Sequence, residues 1–275
     1  MKDADSKISV CIPVYNGEKT VSRNLNSLIR QNYKNFEILI SNNKSTDKTL
    51  EICNAFKKND KRIKIYNQKK KLPVFQNFKF LIKKSKGNYV MWLASHHKLS
   101  KNYLKENYKI LSKNKQLVAS MGTDYFETFY SHKDKKNFSL EHDLYNNLII
   151  FFRYCWRSHG IFYSLIKKKN LIKILSSLKH YIASDWIFMI NLIFQGKISR
   201  SLDTYLILGR EGNSLKKKFY YVNKKYKSII PLYYFTKHFY ELINSSKQLT
   251  FFQKKKLLLA ALYLNIRYLI SIIKI

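Results

Sequence analysis

The chain is predicted to fold as an α/β domain with a mainly parallel central sheet flanked by helices, followed by a helical C-terminal extension. Three observations predict this. The runs from Ile8 to Val14 and from Phe36 to Asn42 are short, β-branched and largely apolar, the pattern of parallel strands buried on both faces. Each ends in a turn, Tyr15 to Gly17 and Asn43 to Asp47, that opens a stretch of helical character. From about residue 219 onward the chain reads as helices alone.

Taken in order, residues 50–58 read as a helix and 63–66 as a short strand, leading through Lys69 to Pro73 into a helix over 75–84. Residues 86–93 form the next strand, entered through Gly87, with a helix over 101–112 and a strand over 117–123. The polar, charged stretch 132–137 reads as a mobile loop. Beyond it the chain is richer in helix. Residues 145–154 are apolar and aromatic, 161–165 read as a strand, and 170–178 carry apolar residues at helical spacing. Residues 182–194 form an apolar helix with one carboxylate, Asp185, in its first turn, and strand-like segments at 196–200 and from 204 follow.

Composition narrows the class. A chain of 275 residues can bury a substantial core, and the pattern divides into a domain over 1–215 and a helical extension over 216–275. Hydrophobic content of 45%, with 15% aromatic, excludes a disordered protein. Cys11, Cys53 and Cys155 are widely separated and form no C-x-x-C pair, so neither a disulfide framework nor a zinc site is expected. The first residues are polar and charged, so a secretory signal is not expected and the location is cytoplasmic.

The net charge of +35, from 52 Lys plus Arg against 17 Asp plus Glu, points to nucleic acid, an anionic membrane surface or a phosphate-bearing substrate. The abundance of Lys, Asn, Ile, Phe and Tyr also fits an AT-rich coding bias that scatters lysines over a solvated surface. Either way such a chain is drawn to anionic surfaces. It carries no basic-aromatic module of nucleic-acid-binding type, so nucleic acid is not an expected partner.

Ligands of an open α/β sheet bind beyond the carboxyl ends of its strands, where Tyr15, Asn16, Asn42 and Asn43 fall. Tyr15 can offer an aromatic face to a base, Asn42 a donor and an acceptor to its edge, and Thr46 or Asp47 can cap the following helix. Taken singly, either turn also reads as Pro13 and Asn16 shaping a bend and Ser45 to Asp47 capping a helix. Paired at this spacing they read as a nucleotide-binding βαβ unit.

Ile12 to Asn16 and Ser41 to Thr49 resemble the opening of family 2 glycosyltransferases, inverting enzymes with a GT-A fold, whose pattern is strand, I-P-x-Y-N, helix, strand, S-D-N-x-S-x-D-x-T. Only Asn42 departs from it there. Residues 86–93 are similar to the family strand that runs into the metal-binding loop. Gly196 to Arg200 and Arg210 to Ser214 are similar to its closing strand and R-x-x-G-x-S loop, so the resemblance covers residues 7–215. It implies a Rossmann-like GT-A sheet and transfer of a sugar from a nucleotide-diphosphate donor, UDP-linked by expectation. The acceptor is a glycan or lipid-linked molecule in surface polysaccharide or glycoconjugate synthesis. It also assigns Pro13, Tyr15, Asn16, Asn42, Asn77, Ser95, His96 and Arg210 to the nucleotide sugar, Asp185 as general base, and His159 and Trp186 to the acceptor side.

In the family a divalent cation, Mn or Mg, sits on a D-x-D loop within the frame M-W-L-A-x-D-D-x-L-x-P-x-Y-L. Here Met91 to Leu104 keeps the frame with both acids replaced, as His96 and His97. Three alternatives follow. Neutral imidazoles can hold a softer ion, with His97 as a metal ligand; His96, His97 and Lys98 can supply positive charge directly; or the loop has lost catalysis, leaving a module that binds a nucleotide sugar, a glycan or a partner enzyme. Asp185 also reads as a helix N-terminal carboxylate favoured by the dipole. Residues 254–275, interrupted by Asn265 and Arg267, suit a helix lying in a bilayer interface at the inner face of the cell membrane, or one packed on the domain, or a self-association face.

Overall fold

Alternation of side chains along the first strands builds two cores, one on each face of the sheet. The computed structural model describes residues 6–127, 138–154, 159–175, 181–209 and 232–273. The elements are β1 (Ile8–Val14), α1 (Val21–Ile29), β2 (Phe36–Asn42), α2 (Thr49–Asn59), β3 (Ile63–Asn67), α3 (Val74–Lys84), β4 (Tyr89–Trp92), β5 (Lys98–Leu99) and α4 (Tyr103–Lys113). They continue with β6 (Leu117–Phe126), α5 (Leu144–Tyr154), α6 (His159–Phe162), β7 (Leu165–Lys167), α7 (Lys168–Leu175), α8 (Ser184–Gln195) and β8 (Lys197–Leu208). The last two helices are α9 (Tyr233–Ser245) and α10 (Phe251–Ile273).

The eight strands form one sheet in the order β3-β2-β1-β4-β7-β6-β8-β5. β3, β2, β1 and β4 are parallel neighbours, as the buried runs predict. β7 runs antiparallel to β4 and β6, β8 is parallel to β6, and β5 is antiparallel to β8, so the sheet is mixed in its second half. Ile8, Val10, Ile12, Ile38, Ile40 and Met91 point to the face covered by α1 and α4. Cys11, Leu39, Val90 and Trp92 point to the other face, where Phe78, Phe151, Phe162 and Phe188 pack. Side chains of α9 and α10, among them Phe235, Phe239, Leu257 and Leu264, join that second cluster.

Pro13 lies in a central strand without breaking it. Leu93 N–H donates to Cys11 O at 3.0 Å and Asn43 N–H to Val14 O at 2.8 Å, so odd positions of β1 face β4 and even ones face β2. The β1–β4 ladder stops at the Cys11–Trp92 pair, two positions before the residue that has no N–H to give.

Several expectations change. Residues 161–165 do not form a strand: α6 ends at Phe162 and the strand begins at Leu165, a short apolar run being equally compatible with either element. The strand expected over 86–93 starts only at Tyr89, because Lys86 N–H donates to Glu37 Oε1 and Gly87 N–H to Ser9 Oγ, drawing 86–88 into a turn. The segments at 196–200 and from 204 are one strand, β8, whose register against β6 slips between the Met121–Arg200 and Thr123–Tyr205 pairs. The two-residue β5 carries no sequence signal of its own. The loop expected over 132–137, Cys155 and the Arg210 to Ser214 segment lie outside the described residues.

Candidate functional site

The carboxyl ends of β1, β2 and β4 meet at one edge, and the loops beyond the first two are fastened to each other. Asn16, in the left-handed region with φ 49°, accepts Thr46 N–H at 2.9 Å through Oδ1. Its own N–H donates to Ser45 Oγ at 3.0 Å. Gly17 N–H donates to Thr49 Oγ1 at 2.8 Å, and Glu18 N–H to Asp47 Oδ2 at 3.1 Å. Burial raises the Asp47 pKa, but the Thr49 hydroxyl and the Glu18 and Thr49 amides outweigh it and hold the carboxyl below its ordinary value. Asp47 also accepts Thr49 N–H at 3.1 Å just before α2, whose N-cap position is Lys48 and not the expected Thr46 or Asp47.

These bonds give Asn16 and Asp47 bracing roles and leave Tyr15 outside the brace, 45% exposed. Lys71 Nζ stands 3.4 Å from the centre of the Tyr15 ring, a cation over an aromatic face. Asn42 is buried; its amide donates to Asn67 Oδ1 at 2.8 Å, so its donor side is already engaged across β2 and β3. Asn43 clamps Leu72 by a reciprocal pair of 2.9 Å and 2.7 Å, which fixes the entry to α3. Asn77, one turn into α3, is buried, and its Oδ1 has no hydrogen-bond partner.

The loop beyond β4 comes against the same edge. A side chain on Gly17 would have its Cβ 3.2 Å from Ser95 Oγ and 2.7 Å from Val14 Cγ2, so only glycine lets the two loops touch. Asn24 Nδ2 donates to Ala94 O and His97 O at 3.1 and 2.8 Å, holding the His96–His97 turn from α1. The two imidazoles meet edge to face with centroids 4.3 Å apart, and His97 meets Tyr163 likewise at 4.5 Å. Gly209 N–H, just past β8, donates to His97 Nδ1 at 3.2 Å.

Tyr163 links His97 to the start of α8. Burial, and then the negative charge of Asp185, raise its hydroxyl pKa. Asp185 itself is exposed in the first turn of α8, preceded by Ala183 at φ 61°. Among the described residues, the non-glycine positions with positive φ are Asn16 and Lys44, in the braced loops after β1 and β2, and Ala183, just before α8. Such backbone strain gathers where surrounding contacts over-determine a site. Trp186 is half-buried, edge-on to Phe235 of α9 and Tyr268 of α10 at 6.0 and 6.3 Å, so its ring packs the C-terminal helices onto α8. α6 begins at His159, whose side chain, like Arg210, lies outside the described residues.

The His96–His97 turn does not fit a hard divalent cation. Among the described residues no group of three or more His, Cys, Asp or Glu side chains converges to hold a metal ion. A neutral histidine that accepts at Nδ1 carries its hydrogen on Nε2, whereas a metal-bound imidazole donates from the nitrogen that does not ligate. Placing a metal on His97 Nε2 would set two N–H groups against each other at Gly209.

Lys71, the Asn43 clamp, Tyr163 and Gly209 carry no signal in the sequence. Their partners lie 29 residues away for Asn43 and 112 for Gly209, distances over which no local pattern signals a contact.

The comparisons with known proteins agree with this architecture. A crystal structure of S. aureus TarS in complex with UDP-GlcNAc superposes with a TM-score of 0.69 at 18% identity, covering 92% of this chain and 70% of that one. The mannosyltransferase PcManGT from Pyrobaculum calidifontis, in complex with GDP-Man and Mn2+, superposes at 0.62 and 14% identity, covering 95% and 70%. At these identities the likeness establishes the GT-A fold. Glycosyltransferase GlyA of Streptococcus pneumoniae is 36% identical over 105 residues, 38% of this chain and 15% of that protein. Glycosyltransferase GlyG of the same organism is 29% identical over 138 residues, 49% of this chain and 46% of that protein. The Methanococcus voltae dolichyl N-acetyl-alpha-D-glucosaminyl phosphate 3-beta-D-2,3-diacetamido-2,3-dideoxy-beta-D-glucuronosyltransferase is 34% identical over 122 residues, 42% of this chain and 38% of that protein. The chain thus spans less than half the length of these curated relatives. The model of the family described as glycosyl transferase family 2 matches residues 9–176, more than half of the sequence, and the chain belongs to that family.

Proposed function

We propose that the chain transfers a sugar, with inversion, from a nucleoside-diphosphate donor, UDP-linked, to a glycan or lipid-linked acceptor at the inner face of the cell membrane. The observation that carries this is the junction of the braced β1 and β2 loops with the β4 loop, reached from the other side by the Asp185 carboxylate through Tyr163. Tyr15 takes the base on the ring face away from Lys71, with Pro13 and Asn16 shaping that wall and Asn42 lining its floor. Asn77 Oδ1 accepts from the donor, and Ser95 and His96 flank its diphosphate together with Arg210.

An inverting displacement needs a base on the acceptor hydroxyl and positive charge or donors on the departing diphosphate. Asp185 supplies the base, with His159 and Trp186 bordering the acceptor. Lys71 and Arg210 supply positive charge for the diphosphate, in keeping with a β4 loop whose chemistry does not suit Mg²⁺. The His97–Gly209 bond supports a second reading as well, in which the module binds a nucleotide sugar, a glycan or a partner enzyme without turning over, because that bond occupies His97 Nδ1 at the position of the family's second acid.

Thermal shift with a panel of nucleotide sugars, with and without Mn²⁺, tests the donor binding that transfer requires. Stabilisation grows as the logarithm of ligand over dissociation constant, so a donor raises the melting temperature in a dose-dependent way. A panel in which no nucleoside diphosphate or its sugar moves the melting temperature contradicts the transfer reading.

A further inference from the structure

We infer that the outward face of α10 is a docking surface for an anionic lipid bilayer. The helix is apolar on two sides. Leu257, Ala261 and Leu264 are buried against α5 and α9. Asn265 fastens the same side, donating to Thr236 Oγ1 at 2.7 Å and accepting Leu232 N–H at 3.2 Å. On the opposite side, Phe252, Leu259, Tyr263, Ile266 and Ile270 are 74%, 65%, 61%, 56% and 46% exposed. At about 100° per residue these positions fall in one stripe along the helix, about 27 Å long at 1.5 Å per residue. Eight of the seventeen exposed large hydrophobics among the described residues lie on this one helix, so apolar exposure is gathered here rather than scattered.

Charge selects the occupant. Lys255, Lys256 and Arg267 border the stripe, and no Asp or Glu occurs from Leu242 to Ile275. A second copy of a chain carrying +35 would bring one acid-free cationic rim against another, with no complementary group on either side. The stripe, with Leu262 and Leu269 exposed at its margin, is also wider than the two-position seam of a coiled coil. An anionic bilayer satisfies both parts: acyl chains take the apolar stripe and headgroup phosphates take the lysines and Arg267.

Tyr268 of α10 packs on Trp186 from the buried side of the helix, so α10 runs beside the start of α8 and the stripe faces away from that contact. Docking on the stripe therefore leaves the packing of α10 on the domain in place.

Sedimentation of the full chain with phosphatidylcholine vesicles, with or without phosphatidylglycerol, tests it. We expect binding to the anionic vesicles to be at least about tenfold tighter, and to weaken with salt. The double substitution Leu259→Glu/Ile266→Glu should reduce that binding by about tenfold or more while leaving the circular-dichroism melt unchanged, since both positions are exposed. Asp185→Asn should bind vesicles like the unsubstituted chain, which keeps a failure of the base assignment distinct from a failure of docking. Absence of vesicle binding, or binding that the double substitution leaves intact, overturns the inference. So does a concentration-dependent dimer in analytical ultracentrifugation that the double substitution dissolves, which would make the occupant a second copy.

Discussion

His97 Nδ1 accepts the Gly209 N–H at 3.2 Å, joining the loop after β4 to the chain leaving β8 across 112 residues. The approach is close because Gly209 has no side chain: a Cβ there would collide with the His96 carbonyl oxygen. Gly209→Ala should therefore cost about 1–3 kcal/mol, as overpacking against backbone does, and displace the His96–His97 turn. Chemical denaturation measures the loss; an unchanged midpoint would mean that the two segments are not held together.

The same bond bears on ions. Carboxylates on this loop would favour Mg²⁺, whereas imidazoles disfavour it and the Gly209 N–H already occupies His97 Nδ1. Transfer should persist in EDTA or respond only to softer ions such as Mn²⁺. Strict dependence on Mg²⁺ would contradict this account of the loop.

Tyr15 is exposed beyond the brace that fixes Asn16 and Gly17, so its truncation should leave the fold intact. Tyr15→Ala should weaken UDP binding by about 1 kcal/mol, a stacking-scale loss. Calorimetry reads this directly, and equal affinity in both proteins would move the base elsewhere.

At the opposite end of β2, Glu37 is a buried carboxylate that accepts Ser9 Oγ at 2.8 Å, Lys86 N–H at 2.7 Å and Lys64 Nζ at 2.9 Å. Burial raises its pKa, but the bonds from Lys64, Lys86 and Ser9 and the charge of Lys7 outweigh it, leaving the value lowered. A folded pKa below the unfolded one contributes stability above the ordinary carboxylate range and loses it as pH falls through the folded value. Glu37→Gln should cost about 1–3 kcal/mol near neutral pH and flatten the acid limb of the stability curve. Urea titrations across pH check both, and parallel acid limbs would show that Glu37 is not the linked group.

How much of this could be read beforehand followed the range of the interactions involved. β1 and β2 were legible because buried parallel strands are written as continuous apolar runs, and their loops because Asn16 and Asp47 belong to turn motifs with local chemistry. β8 read as two segments because its slip against β6 is a property of pairing and leaves no mark between Arg200 and Thr204. Trp186, expected at the acceptor, is held by Phe235 and Tyr268, residues 49 or more positions away that carry no signal of the contact. Lys71 over Tyr15 is equally non-local, and in a lysine-rich chain no single lysine stands out.

Asp185 is where the account is most exposed to test. It opens an otherwise apolar helix, its charge reaches Tyr163 beside His97, and Asp203, a rival acid, lies in the slipped part of β8. Measuring sugar transfer and UDP affinity together for Asp185→Asn is the most direct measurement, since the amide keeps the shape and removes the proton acceptor. Turnover should fall about 10²- to 10⁴-fold with UDP affinity nearly unchanged. Transfer at the unsubstituted rate would place the base elsewhere and contradict the acceptor side drawn around α8.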